Sequence, residues 1–259
     1  LQAPWSDLHD FAREVELTES EWMKGIEFLT ATGQMCDDKR QEFILLSDTL
    51  GLSMLVVAMN HAKPVGATEA TVFGPFHVDG APTLPEGADL GNGAAGVPLF
   101  VHAAIKTMDG SPIAGAQVDV WQADEEGLYD VQRPELADSH QARGVLHSQS
   151  DGSLNFRTVA PVAYPIPTDG PVGEMLMHSG RHPWRPAHVH FMVQAQGYQT
   201  LVTHVFRAED PYLDSDAVFG VRSSLIGAFV YHESGTAPDG TAMAGPFYTL
   251  SQDLVLAEA

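Results

Sequence analysis

The stretch His188-Val189-His190-Phe191-Met192-Val193 has the composition of a β-strand. Residues i and i+2 of a strand share a face, so both imidazoles can meet one metal ion. A His-x-His pair is also what polar strand surface looks like, and both readings stand at this point. Further along, Leu201-Val202-Thr203-His204-Val205-Phe206 reads as a second strand. Upstream, Leu154-Asn155-Phe156-Arg157-Thr158-Val159 alternates behind the turn Asp151-Gly152. Val118-Asp119-Val120-Trp121 puts Val118 and Val120 on one face, and Leu99 to Ile105 is strand-like before the turn Asp109-Gly110-Ser111-Pro112. Short strands, Gly/Pro turns and no long helices between them predict a mainly β chain built on an antiparallel β-sandwich. The Gly/Ala/Pro-rich segment from Gly80 to Pro98 reads as a long loop.

The first sixty residues read as helices. Thr18-Glu19-Ser20-Glu21 has capping-box form, and Trp22, Ile26 and Leu29 follow as an apolar stripe. A second helix is expected from about Asp38 to Asn60. Phe43, Leu46, Leu50, Met54 and Val57 form one stripe on it, and Ile44, Leu45, Leu52 and Leu55 a neighbouring one. Such a helix must be covered on two sides. Asp48 interrupts the second stripe, either as a locally bonded charge at a groove edge or as a polar group placed to meet a ligand.

Composition narrows the class. With 13 Lys+Arg against 34 Asp+Glu, the formal net charge is −21. A large basic stripe for nucleic acid is excluded, and an anionic lipid surface is disfavoured as a main partner. A single cysteine, Cys36, excludes an intrachain disulfide and any multi-cysteine metal site. It also favours a reducing compartment, so a cytoplasmic location is expected. No signal peptide is expected. The longest apolar stretch, around Gly51 to Met59, is too short to span a bilayer, so a membrane protein is not expected.

Arg185 stands three residues before the histidine pair, restricted by Pro186. A cation held there suits an anion that forms at a metal site, or else makes a surface salt bridge. Two tyrosines have unusual settings. Tyr129 follows a strand in Trp121 to Asp130, and Tyr164 lies in Pro161-Val162-Ala163-Tyr164-Pro165-Ile166-Pro167, too proline-rich for regular sheet.

Four separated stretches together resemble the intradiol ring-cleaving dioxygenases, most closely the hydroxyquinol-cleaving branch. They are Ala67 to Val78 (Ala-Thr-Glu-Ala-Thr-Val-Phe-Gly-Pro-Phe-His-Val), Val118 to Trp121 with Gly127 to Gln132, Tyr164 to Pro171, and Gly180 to Phe191. The resemblance implies a helical dimerisation and linker domain over 1–75 and a β-sandwich catalytic domain over 76–259. It implies one Fe(III) per subunit, held by Tyr129, Tyr164, His188 and His190. Tyrosine ionises near pH 10 when free, so it needs a metal to become a phenolate at neutral pH, and two phenolates favour ferric iron. Tyr164 then resembles the tyrosinate that takes a substrate proton, and Arg185 the group that stabilises a carbanion-like substrate.

The same resemblance places substrate contacts at Leu45, Asp48, Val72, Phe73, Gly74, Phe76, Pro165, Ile166, Arg185 and Val218. Asp48 facing the ring would favour a third hydroxyl. The expected reaction is cleavage of hydroxyquinol (benzene-1,2,4-triol) by O₂ to 3-hydroxy-cis,cis-muconate, which tautomerises to maleylacetate. Catechol or chlorocatechol cleavage is the alternative within the family. Because Asp109 to Ala116 also resembles turns of transthyretin-like sandwiches, a non-catalytic binding module is the alternative outside it. The resemblance further implies a homodimer through the N-terminal helices, with a phospholipid possible between them. His204 stands where catechol-cleaving relatives carry glutamine. It is expected as a satisfied core histidine, or as a hydrogen-bonding group near the substrate.

Overall fold

The structure is a computed structural model that describes residues 5–136 and 139–259. Residues 1–4 of the expected helical domain lie outside it. Four helices come first: α1 (Ser6–Glu14), α2 (Glu19–Gln34), α3 (Glu42–Thr49) and α4 (Leu52–Asn60). The capping box at α2 forms as expected. The Thr18 backbone N–H donates to the Glu21 carboxylate (3.0 Å), and the Glu21 N–H donates to Thr18 Oγ1 (3.3 Å).

The single helix expected from Asp38 to Asn60 is two helices, bent by 79° between α3 and α4. Gly51 is the cause. Its φ of +75° is left-handed, which ends α3, and its N–H donates to Asp48 O (3.0 Å). A Cβ there would also stand 3.2 Å from the Phe219 ring. The bend swings α3 onto α5 (Pro171–His178), a helix the sequence pattern did not show. Glu42, fully buried in the first turn of α3, accepts from Val172 N–H (3.2 Å) in the first turn of α5. Arg40 bridges Glu42 to Asp169. A carboxylate at a helix N-terminus is favourable, and Pro171 at the first helical position removes one unpaired donor. Among the described residues no single helix is long and apolar enough to cross a membrane; α3 and α4 pass only as a bent pair.

The strands are β1 (Pro98–Thr107), β2 (Gln117–Gln122), β3 (Arg143–His147), β4 (Ser153–Val159), β5 (Tyr164–Pro165), β6 (Trp184–Arg185), β7 (His188–Gln194), β8 (Leu201–Arg207), β9 (Ile226–Gly227), β10 (Val230–His232), β11 (Gly235–Thr236), β12 (Ala242–Met243) and β13 (Phe247–Leu256). A four-stranded sheet, β10-β13-β1-β4, faces a five-stranded sheet, β3-β2-β7-β8-β9. The sandwich is antiparallel in most pairings. However, β13 runs parallel to β1, and β9 parallel to β8.

Between the sheets lies the core. Val101, Ala103 and Ile105 of β1, Leu154 and Phe156 of β4, and Leu250 and Leu254 of β13 meet Val118 and Val120 of β2, Val189, Phe191 and Val193 of β7, and Leu201 and Val205 of β8. Each fully buried Val, Leu or Phe contributes about 1.5–3 kcal/mol of transfer free energy. The period of two that sends these residues inward sends His188 and His190 to the opposite face. His204 and Phe206 of β8 lie beside them, His190 paired with His204 and His188 with Phe206.

Candidate metal centre and substrate pocket

His188 and His190 are each 1% exposed. His188 Nδ1 lies 2.7 Å from Pro186 O, which accepts its proton and leaves Nε2 as a lone pair. Tyr129 reaches the same point from the loop after β2. Asp124 shapes that loop by accepting from the N–H groups of Glu126 (2.9 Å) and Leu128 (3.2 Å). Gly127 (φ +77°) lets it pass against Tyr164, since a Cβ there would lie 2.8 Å from the Tyr164 Cβ. Tyr164 comes from β5, paired directly with Arg185 of β6.

Four ligand-type atoms therefore converge. Tyr129 Oη lies 3.0 Å from His190 Nε2, 3.3 Å from Tyr164 Oη and 3.4 Å from His188 Nε2, and the two Nε2 atoms are 3.1 Å apart. Atoms that share one metal ion at about 2 Å each lie roughly 3 Å apart, which is the spacing found around Tyr129 Oη. One ring nitrogen from each of His188, His190 and His204 also lies within 4.8 Å of the others, a group able to hold a metal ion.

The electrostatics fit that use. Burial first, then the Arg185 charge, pushes His188 down to about 3, so its imidazole is neutral, as a ligand must be. Burial also holds His190 and His204 well below the usual histidine range. The Tyr129 phenol is pushed up, by burial and then by Tyr164. Only a strong cation at the convergence point would ionise that phenol at neutral pH, so the donor set suits a highly charged metal.

Arg185, 5% exposed, is the cation of the site. Burial is the largest single influence and opposes its charge, but Asp216 together with the Tyr164 and Tyr129 oxygens outweighs it and raises the pKa, with Nε 3.1 Å from Asp216 Oδ1. Asp216 in turn accepts from Gly220 N–H (2.9 Å) and Val218 N–H (3.3 Å). The surface salt bridge considered for Arg185 from sequence is not what forms; the pair is buried.

The pocket residues separate into groups. Ile166, Ala217, Val218 and Leu176 form one buried cluster, with Leu45 of α3 packed on it. Asp48, one turn further along α3, is half-buried. Burial raises its carboxyl, a hydrogen bond from the Ser53 hydroxyl lowers it, and the charges of Arg185 and Asp216 act on it more weakly. Phe76 stacks on Tyr129 (centroids 4.3 Å, 23°), and a Cβ at Gly74 would stand 3.3 Å from His190 Cε1. Phe73 sits one ring further out, on Trp121 and His77, and Trp121 stacks on His190 (4.6 Å, 18°). Val72 is buried beside Thr71. Pro165 is exposed, opposite Trp184.

Several working residues escaped the sequence reading. Asp216, Thr71 and the buried pair Arg143–Asp130 carry no local pattern, because their partners are distant in the chain. Arg143 Nε donates to Asp130 Oδ2 (2.7 Å) and its Nη1 to Phe76 O (2.9 Å), tying the Tyr129 loop to the Phe76 segment. His204 is not the satisfied core histidine expected. Its Nδ1 meets Thr71 Oγ1 at 2.6 Å, but its Nε2 has no partner among the described residues.

A family model described as "Dioxygenase" matches residues 72–257, and one described as "Catechol dioxygenase N terminus" matches residues 3–68. The chain is 66% identical over 229 residues to a 6-chlorohydroxyquinol 1,2-dioxygenase of Cupriavidus pinatubonensis, covering 88% of this chain and 83% of that protein. The solved structure of hydroxyquinol 1,2-dioxygenase from Pseudomonas putida superposes with a TM-score of 0.92 at 50% identity, covering 98% of this chain and 88% of that one. Catechol 1,2-dioxygenase from Pseudomonas arvilla superposes with a TM-score of 0.85 at 30% identity, covering 98% and 82%.

Proposed function

Because the chain belongs to the intradiol ring-cleavage dioxygenases, we propose that it cleaves hydroxyquinol with O₂ between the two adjacent hydroxyl-bearing carbons. The product is 3-hydroxy-cis,cis-muconate, the tautomer of maleylacetate. The observation that carries this reading is the convergence of Tyr129, Tyr164, His188 and His190 on one point, with Arg185 opposite Tyr164. In it, one Fe(III) per subunit is held by those four side chains. When bound, ferric iron would supply the charge that ionises tyrosine and an electron-accepting centre for a diol substrate. That the family is enzymatic overturns the transthyretin-like binding module.

The chain's own residues do the rest. Tyr164, as phenolate, accepts a diol proton at Oη. Tyr129 stays fixed, fully buried under the Phe76 ring and the Arg143–Asp130 clasp. Arg185, oriented by Asp216, stabilises negative charge that spreads onto the ring as oxygen adds. Leu45, Ile166 and Val218 form the apolar wall that excludes water, and Val72, Phe73, Gly74, Phe76 and Pro165 are assigned to the pocket's other side. Asp48 accepts from the third hydroxyl, which separates the triol from catechol. Relatives at 48–66% identity act, by name, on hydroxyquinol or its 6-chloro form, against 36% or less for those named for catechol.

A helical domain over 1–75 and a catalytic domain over 76–259 are supported by the two family models, which divide between 68 and 72. A homodimer through the N-terminal helices, with a phospholipid between them, is the reading supported by the apolar side chains these helices leave open. Trp22, Ile26 and Leu29 are 43–53% exposed, and Ile44, Leu52 and Leu55 51–56%. A cytoplasmic location rests on the single cysteine and the acidic surface.

The test is the visible spectrum of the purified protein before and after anaerobic addition of hydroxyquinol, followed by kcat/KM on hydroxyquinol, 6-chlorohydroxyquinol and catechol. A coloured protein with one iron per subunit, a shift to longer wavelength, and preference for a triol are expected. A colourless iron-free protein would overturn the metal centre. Preference for catechol would overturn the substrate.

A further inference from the structure

His204 is 0% exposed, and its Nε2 has no hydrogen-bond partner among the described residues, a state that is costly for a buried polar group. Its Nδ1 has one partner, Thr71 Oγ1 at 2.6 Å. Thr71 is itself only 3% exposed, and among the described residues its hydroxyl has no other partner. Two arrangements of a neutral ring are then possible. If Nδ1–H donates to Thr71, the threonine hydrogen has no acceptor and Nε2 is a bare lone pair, so two buried groups go unmet. If the Thr71 hydroxyl donates to Nδ1, a single group remains unmet, the Nε2–H. The second arrangement leaves the fewest unmet buried groups.

The ring that carries the remaining N–H lies beside the two histidine ligand candidates. The His204 ring lies 4.0 Å from the His190 ring and 4.8 Å from the His188 ring, on the ligand-bearing face of the five-stranded sheet. We infer that Thr71 is a positioning residue that fixes the His204 tautomer, so that Nε2–H is a built-in hydrogen-bond donor for an anionic oxygen bound beside His188 and His190. This rests on the metal-centre reading above. The ligand class is an ionised diol oxygen, which a donor favours and a bare lone pair would repel. Thr71 immediately precedes the 72–76 wall, and its N–H donates to Val202 O (3.0 Å), so the same backbone segment sets both the tautomer and the pocket wall.

Two measurements test this. In metal-free protein, imidazole ¹⁵N spectra of wild type and Thr71→Ser should show His204 protonated at Nε2, while Thr71→Val should move the proton toward Nδ1. A wild type protonated at Nδ1, or a Thr71→Val spectrum identical to wild type, overturns the inference. In iron-loaded protein, the Kd for 4-nitrocatechol, titrated anaerobically by absorbance, should weaken about tenfold in Thr71→Val and in His204→Leu. Thr71→Ser and His204→Gln should stay within about threefold, with iron content unchanged in all four. Equal weakening in Thr71→Ser and Thr71→Val would mean a packing role and overturn it. A wild type that takes up no iron would instead defeat the metal-centre reading, and the spectra of the metal-free protein would still decide the role of Thr71.

Discussion

The two faces of β7 differ in what their residues have left to do. Val189, Phe191 and Val193 are wholly enclosed by both sheets, and their interactions are complete in the folded chain. His188 and His190, one residue away on the same strand, are as deeply buried, yet their Nε2 atoms meet only other ligand-type atoms. One face stores stability and the other stores capacity to bind. Substitutions on the two faces should therefore separate into two kinds of damage.

The largest effect is expected on the ligand face. His190→Ala should abolish iron binding and reduce turnover to background, while the melting temperature of the metal-free protein changes little. Phe191→Ala, its neighbour on the core face, should cost about 3–5 kcal/mol in denaturant unfolding and retain iron in whatever fraction stays folded. Iron analysis and urea titration on the same preparations measure both, and loss of iron in both variants alike would erase the contrast.

Next in size is the charge behind the ligands. Arg185→Met should lower kcat about 10²–10³-fold with iron retained, because it removes a preorganised charge. Asp216→Asn should lower kcat less, since the arginine remains but is no longer held by a charged partner.

A smaller contrast concerns acid. In the folded metal-free protein His188 is pushed down to about 3, against about 6.5 when unfolded. The unfolded chain thus binds the proton first, and stability present above pH 6.5 is lost as pH falls toward 3. Chemical denaturation of metal-free protein across that window should show the loss, and His188→Gln should reduce it, the remainder coming from His190 and His204, which burial also holds low. The core face, having nothing to titrate, gives Val189→Ala the wild-type slope.

The smallest effect on stability sharpens the same point from the pocket. Burial raises the Asp48 carboxyl, so its ionised form costs stability near neutral pH. Asp48→Asn should raise the melting temperature by about one to three degrees. Asp48→Ala should lower kcat/KM for hydroxyquinol by more than tenfold relative to catechol. Equal losses on both diols would remove Asp48 from substrate selection.

Much of this was legible in the chain before any coordinates. The alternation at Val118–Trp121, Leu154–Val159 and His188–Val193 is local, because strand faces repeat every two residues. The α2 capping box is equally local. Four spaced motifs carried the family and, with it, the ligand candidates. What escaped was non-local or conformational. A glycine at 51 can sit within a helix or turn left-handed, and only its packing against Phe219 shows which. Nothing near Pro171 announces α5, whose start is completed by Glu42 from far upstream.

By itself, the sequence determined that this is an acidic, mainly β chain with a helical start, because composition and periodicity are properties of neighbouring residues, while the tyrosines and histidines to suspect came with the family resemblance of its four motifs. Tertiary structure alone decided that Arg185 is held by Asp216, that the chain turns at Gly51 between α3 and α4, and that Thr71 reaches His204. Those contacts join residues from distant segments of the chain. Their energies depend on burial and mutual geometry, which exist only once the sheets and helices have packed.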